Sequence, residues 1–405
     1  MTQQRATQPR RPLGANDRIH IAVIGAGSKG SGHLNDLIAR GKRDPKLAVT
    51  AVCEIYQRRA RTAQARLRKE VTGKDFDGTL YHEYERLLDE ATCDAVVIAT
   101  PDHWHGKMAC DAIAAGKDVY VEKPMCHTIE QARALYELTR RANAVVQVGA
   151  QSTSDAQYHK AREMIKKGAI GKVVWVRSSY NRNVPGGDWN YAIHPDCTPQ
   201  TLDWDRFLGT AYGLAPKCPF DPERFFRFRK YWDYSGGIAT DLLYHILAHL
   251  MVALDGGDFP RRVTASGGNW VHKDRDVPDT FMMNADYPGE YSVFLMGTDN
   301  NDRQVQEVIH GQYGSMIFGG PRLEPQGAFK AQFEQAAQAG AHGVPMPKVE
   351  DHMSNFLQCL RTRAKPNCDV ELGYKTQVAI TLAVMAYRQG KALFFDPQTG
   401  RVTAG

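Results

Sequence analysis

Apolar residues follow a different rhythm in each part of the chain. From residue 18 to 149, short and almost wholly apolar runs alternate with longer amphipathic ones. Ile19–Ile24 has five apolar residues in six, Leu47–Cys53 is apolar but for Thr50, and residues 95–99, 119–121 and 145–148 repeat the pattern. Runs without a polar face suit strands buried on both sides of a parallel sheet. The stretches between them, 105–115 and 129–142, carry apolar residues at helical spacing, which predicts an open, mostly parallel α/β sheet.

Beyond residue 150 the rhythm changes. A helix-like stretch, 156–167, leads to a strand at 173–180, and then to a long irregular run, 181–234, rich in Trp, Tyr, Pro, Arg and Asp. Long loops with such side chains are usually functional. Residues 237–254 are apolar on most of their surface and predict a buried helix. From 261 to 318 the alternation has period two, with turn signals such as Pro288-Gly289, which predicts an antiparallel sheet. His352–Thr362 and residues 372–387 read as closing helices, and the Gly-, Ala- and Gln-biased stretch 319–348 reads as a loop.

Composition narrows the class. A chain of 405 residues with 42% hydrophobic and 24% charged residues is globular and long enough for two domains. The net charge of +6 is spread along the chain, and the basic stretch 58–69 reads as the solvated face of a helix, so no nucleic-acid partner is expected. Eight cysteines without a CxxC pair suggest neither a zinc site nor a disulfide framework, but reduced, mostly buried thiols. No run reaches the roughly 18 apolar residues of a membrane span. The polar opening, residues 1–17, reads as a disordered tail, and its Arg10-Arg11 pair is followed by no apolar stretch. The expected location is cytoplasmic, or periplasmic if the native N-terminus differs.

The chemistry begins directly after the first strand. Gly25, Gly27 and Gly30 fit G-x-G-x-x-G, with Ser28 and Lys29 inside the motif and Leu34, Leu37 and Ile38 at helical spacing behind it. A tight turn, a close backbone approach to a pyrophosphate and a helix N-terminus facing it are what a dinucleotide requires. Glu54, ending the second strand, stands where a carboxylate accepts both ribose hydroxyls. It would repel a 2′-phosphate, so NAD is expected rather than NADP, with Arg58 and Arg59 near enough to soften the preference. Residues 18–149 are therefore read as a Rossmann domain, and 150–405 as a substrate-binding and assembly domain.

Ligands bind beyond the carboxyl ends of such strands. Thr100, Pro101 and His105 follow one strand, and Glu122-Lys123-Pro124 follow another. Lys123 would stabilise the oxygen that develops charge as hydride leaves a carbinol carbon. Asp241 and His245 lie four apart on the predicted helix, where a carboxylate can orient an imidazole and hold its pKa near neutral for proton exchange. Tyr180, Asn181, Arg182 and Trp189 offer aromatic faces and donors suited to a sugar ring. His249 continues the Asp241, His245 spacing but is read as structural, and no metal is expected.

Together, Gly25-Ala26-Gly27-Ser28-Lys29-Gly30, Ala99-Thr100-Pro101 with His105, Gly116-Lys117, Glu122-Lys123-Pro124, and Gly236-Gly237 followed by Asp241 and His245 resemble the glucose-fructose oxidoreductase and inositol dehydrogenase family, written Gfo/Idh/MocA. The resemblance runs from about Arg18 to near the C-terminus. It implies a nicotinamide-dependent enzyme with a doubly wound Rossmann sheet (α/β) and a C-terminal α+β domain built on an open-faced, mainly antiparallel sheet. It also implies that Lys123, Asp241 and His245 line the place where substrate meets nicotinamide, that Pro124 follows a cis peptide bond, and that the broad sheet mediates homo-oligomerisation. Where many relatives carry an arginine, this chain reads Gln151-Ser152-Thr153-Ser154. The expected activity is NAD-dependent hydride transfer with a sugar, cyclitol or related polyhydroxylated molecule. The alternatives are a redox-neutral glycosidase using transient oxidation and elimination, and a non-catalytic dinucleotide sensor.

Overall fold

The apolar runs of the first third become neighbours in one sheet. The computed structural model describes residues 13–14, 16–70, 79–319 and 322–405. Strands β1 (Ile19–Ile24), β2 (Leu47–Cys53), β3 (Thr79–Tyr81), β4 (Ala95–Ile98), β5 (Asp118–Glu122) and β6 (Val146–Gly149) form a six-stranded sheet in the order β3-β2-β1-β4-β5-β6. Every pairing is parallel. Every residue of β2, β4, β5 and β6 is buried, which is why these strands show no polar alternation. The edge strand β3 is three residues long and half exposed, so its sequence carries no such signal. The strand order reverses between β1 and β4, and a crevice opens there at the strands' carboxyl ends.

Helix ends follow their local chemistry. The helix Ile129–Arg141 is capped by Thr128, which accepts from the Gln131 N–H, and it carries Glu130 in its first turn and Arg140 and Arg141 in its last. The Lys123–Pro124 peptide, at the end of β5, is cis.

The second sheet has nine strands: β7 (Val173–Asn181), β8 (Arg262–Gly268), β9 (Thr280–Tyr287), β10 (Tyr291–Thr298), β11 (Val308–Gly311), β12 (Gly314–Ile317), β13 (Arg322–Pro325), β14 (Leu393–Asp396) and β15 (Arg401–Ala404). Their order is β13-β12-β11-β7-β10-β9-β8-β14-β15, and only β7 and β10 pair in parallel. In β9 the alternation is strict, with Phe281, Met283, Ala285 and Tyr287 buried. The helices Tyr244–Ala253 and Val370–Gln389 cover the inner face. Val370–Gln389 also packs on Ile129–Arg141, so Val121 and Val148 of the first sheet, with Met125 just after β5, share one core with Tyr244, Leu247 and Val378.

Three readings need correction or restriction. The stretch 319–348, read as a loop, holds β13 and a helix, Lys330–Gly340, whose buried residues are only Phe333 and Gly340, too few for an apolar stripe. The long run 181–234 is not simply irregular. It contains short helices, Trp204–Leu208 and Pro222–Phe226, around a small core that they share with Tyr56. The expected tail, residues 1–17, lies largely outside the described residues.

Candidate active site

A cleft of about 800 Å³ runs along the carboxyl ends of β1, β2, β4 and β5, and one wall of it comes from the second half of the chain. At its entrance the glycine loop is shaped by close approach. Gly25 has φ +89°, and a Cβ there would lie 2.7 Å from the Ala99 carbonyl oxygen; on Gly30 it would lie 1.8 Å from the Gly25 carbonyl oxygen. Gly30 is therefore a packing residue, whereas Gly25, Gly27, Ser28 and Lys29 line the cleft. The helix Ser28–Arg43 starts at Gly27 with no side-chain cap and no acid in its first turn, which leaves its N–H groups for an anion.

Glu54 sits at the end of β2 with its carboxylate accepting from the Ala26 N–H at 2.7 Å and the Tyr56 N–H at 2.9 Å. It braces the glycine turn as well as facing the cleft, and each oxygen keeps a lone pair for a hydroxyl. Thr100 and Pro101 follow β4 in the cleft wall. His105, expected at the cofactor site, lines the cleft beside them, and its ring nitrogens face the Pro124 carbonyl at 2.6 Å and the Thr100 carbonyl at 2.8 Å. The ring thus sits between the loop after β4 and the loop after β5.

The other end of the cleft is built around one carboxylate. Asp241 lies in a π-helical turn, Ala239–Leu243, a geometry that recurs at functional sites. Its Oδ1 accepts from Lys123 Nζ at 2.5 Å and Arg229 Nε at 2.9 Å, and its Oδ2 accepts from Trp189 Nε1 at 2.9 Å. Lys123 also donates to the Asp241 backbone carbonyl at 2.7 Å. Burial opposes ionisation of Asp241, but the charges of Arg229 and Lys123 outweigh it and hold its pKa well below the carboxylate range.

This overturns one expectation. Asp241 makes no hydrogen bond to His245 among the described residues, because three other donors occupy its oxygens. Burial and the Lys123 charge push the His245 pKa down to about 3, and the attraction of Asp241 does not restore it. His245 is a neutral imidazole, half-buried and facing the cleft.

Glu122 accepts from His33 Nε2 at 2.7 Å and Gln151 Nε2 at 3.0 Å, with Lys29 at 3.7 Å. Burial raises its pKa, but the His33 hydrogen bond and the Lys29 charge prevail and lower it to about 2. Of the four residues expected to meet substrate, only Arg182 lines the cleft. Tyr180 supports it, with the guanidinium 4.9 Å from the ring centre. Asn181 turns away to donate to the Arg303 carbonyl, and Trp189 acts through Asp241. His249 bridges Glu307 and Ser152, each at 3.0 Å.

The family model for the NAD-binding Rossmann fold of this oxidoreductase family matches residues 19–150, and that for its C-terminal alpha/beta domain matches residues 155–404. The chain belongs to the Gfo/Idh/MocA family. It is 28% identical over 195 residues to the scyllo-inositol 2-dehydrogenase (NAD(+)) of Bacillus subtilis, covering 47% of this chain and 54% of that protein. It is also 28% identical over 222 residues to a glycosyl hydrolase family 109 protein of Shewanella, covering 50% and 44%. The chain spans about half the length of the curated relatives it matches. In fold it resembles the WlbA dehydrogenase of Bordetella pertussis, solved with NADH and UDP-GlcNAcA, with a TM-score of 0.67 at 16% identity over 94% of this chain and 99% of that one.

The residues present fit the dinucleotide of the Gfo/Idh/MocA fold: an uncapped helix start behind a glycine cradle, a fixed carboxylate at the end of β2, and a lysine at the far end of the same cleft. Several cleft residues were not singled out from sequence. Arg229 sits in a single 3-10 turn, Phe228–Lys230, inside the long run, where no periodicity marks it. Its Nη1 and Nη2 make no hydrogen bond among the described residues. Gln151, noted from sequence only as standing where many relatives carry an arginine, lines the cleft directly after β6.

Proposed function

We propose that this protein is an NAD-dependent oxidoreductase that moves hydride between nicotinamide and a hydroxyl-bearing carbon of a sugar, cyclitol or related polyhydroxylated substrate. The observation that carries the reading is the meeting of Lys123, Arg229, Asp241 and His245 at one end of a cleft whose other end is the glycine loop. NAD, when bound, supplies the hydride acceptor.

Lys123 has three donors, two of which Asp241 engages, so one remains to hold a substrate oxygen as charge develops on it. Asp241 keeps that ammonium aimed and prevents Lys123 and Arg229 from repelling each other apart. His245, uncharged and free of a carboxylate partner, accepts the hydroxyl proton. The unengaged ends of Arg229 and the guanidinium of Arg182 are donors for further hydroxyl groups. Trp189 is a positioning residue, because it reaches the site only through Asp241.

A second reading shares this site. The likeness to a glycosyl hydrolase family 109 protein supports a redox-neutral glycosidase, in which oxidation acidifies a neighbouring C–H and elimination releases the aglycone. Incubation in deuterium oxide with free sugars and with aryl glycosides, following NADH absorbance and aglycone together, separates the two. Stoichiometric NADH from free sugars supports the dehydrogenase. Aglycone release with trace NADH and a deuterated product would replace it by the glycosidase.

The proposal includes a homo-oligomer joined through the outer face of the second sheet, where Trp175 is exposed. It also includes a cytoplasmic setting, which suits eight cysteines that are all free. No helix among the described residues is long and apolar enough to cross a membrane.

A further inference from the structure

The run that leaves β7 after Asn181 does not stay with its own sheet. It crosses the carboxyl ends of β2, β3 and β4 and is fastened there along its length. Tyr56 and Leu202 form a backbone bridge, flanked by the Gln57 N–H to the Thr201 carbonyl at 2.9 Å and the Asp203 N–H to the Ile55 carbonyl at 3.3 Å. The Tyr56 hydroxyl donates to Asp196 at 2.8 Å, and His82 meets Asp203 at 3.0 Å. Arg206 pairs with Glu83 at 3.0 Å and Glu85 at 3.2 Å. Farther along, the rings of His103 and Trp104 both reach the Phe207 carbonyl at 2.8 Å.

Beneath these bonds, Tyr56 of the first half is buried with Leu202, Phe207, Phe225, Phe226 and Tyr234 of the second. The inner side of the run faces the glycine loop and Glu54 across the cleft through Ala192, His194, Phe225 and Phe226. Arg59 lies between the two walls. Its guanidinium is 4.7 Å from the Phe225 ring centre and 5.1 Å from that of Phe226, and its Nη1 is 3.5 Å from where a Cβ on Gly27 would be. It has no carboxylate partner among the described residues, so its charge is available to a phosphate or ribose oxygen.

We propose that residues 191–229 are a strap that completes the adenosine end of the cofactor site, and that NAD remains bound from one turnover to the next. This rests on the dinucleotide reading above. In an open Rossmann crevice the adenosine half leaves past the carboxyl ends of the strands beside the switch point. Here that route is walled by the strap. Release requires lifting it, which breaks several hydrogen bonds together and exposes an aromatic core to water.

Retention constrains the chemistry. Hydride taken from a carbinol carbon must return to a carbonyl carbon before the nucleotide leaves, either that of the transformed substrate or that of a second carbonyl compound. The hydroxyl proton is taken up again in the same step, so the cycle balances without a free oxidant.

The test loads the full-length protein with NADH, removes the excess, and chases with NAD while following the fluorescence of bound NADH. Release should be slower than catalytic turnover. Asp196→Ala, which removes the acceptor of Tyr56 and Arg58, should speed release by roughly 5- to 10-fold, the range for a lost hydrogen bond. Glu83→Ala with Glu85→Ala, which frees Arg206 from the other side, should act in the same direction, so the test does not depend on one variant folding. NADH release faster than turnover in the unmodified protein, or unchanged release in both variants, would overturn the strap. A protein that binds neither NADH nor NAD would instead remove the oxidoreductase reading itself.

Discussion

The division of work proposed for Lys123 and His245 at the reacting centre can be tested one residue at a time. Lys123→Met and His245→Asn should each give a folded protein that binds NAD but turns over at least ~100-fold more slowly. Binding should survive because the pyrophosphate is held at the glycine loop. Stopped-flow turnover and calorimetric NAD binding, measured on the same preparations, check both halves. Asp241→Asn should behave differently, since it leaves Lys123 and Arg229 facing each other with the charge between them removed. A loss of about 3 kcal/mol in stability is expected, the scale for breaking a buried ion pair, read from urea unfolding. The rate profile offers another check. With the His245 pKa at about 3, kcat/KM should show no inflection near pH 6.5. Sequence reasoning brought Lys123, Asp241 and His245 to this place but mistook the partnership, because spacing along a helix says nothing of the cations that other segments deliver. Lys123 and Arg229 come from 118 residues before Asp241 and 12 before it, and together they take the carboxylate that His245 was expected to hold.

At the scale of elements, the loop between β1 and its helix was legible almost residue by residue. An almost wholly buried strand, a glycine turn and a helix start leave few alternatives. Gly30→Ala would force a Cβ to 1.8 Å from the Gly25 carbonyl oxygen, so the turn must open. NAD affinity should fall at least ~10-fold by fluorescence titration, as the N–H groups lose their aim. The end of β2 is where the choice of nucleotide is proposed to be made. Glu54, held by two backbone N–H groups, cannot swing away from a 2′-phosphate, so NADP should bind more weakly than NAD in the same titration. The long run 181–234 was readable as functional but not as structure. Its order comes from contacts with Ile55, Tyr56 and His82 at the edge of the other sheet, and such long-range pairings leave no periodic trace. The π-helical turn was hidden for a similar reason, since Gly236 to Leu254 has the composition of an ordinary buried helix.

For the whole molecule, buried histidines couple stability to pH. Burial lowers the pKa of His103 to about 3, of His245 to about 3 and of His352 to about 4. The unfolded chain, with values near 6.5, binds protons that the folded one refuses, so stability must fall as pH drops below 6.5 and continue falling toward the folded values. Glu122, depressed to about 2, adds a loss of the same sign at lower pH. Asp299 opposes them, since burial raises its carboxyl to about 7. Three imidazoles outweigh one carboxyl, and Tm should drop by at least ~5 °C between pH 7 and 4.5, a shift that calorimetry resolves. The parallel sheet, the antiparallel sheet and their order along the chain were legible from periodicity. The way the halves lock together was not, because the sequence of Val370–Gln389, buried over most of its length, does not reveal that it packs against both halves of the chain. That locking brings Asp241 to Lys123, and the central claim is that hydride transfer occurs where they meet. The most direct measurement is a single turnover: protein loaded with one equivalent of NAD is mixed with inositols and free sugars, and absorbance at the reduced-nicotinamide band is followed beside the Lys123→Met variant. Rapid formation of bound NADH with at least one polyol, lost in the variant, is the result expected. No NADH with any polyol, or equal formation in both proteins, would contradict it.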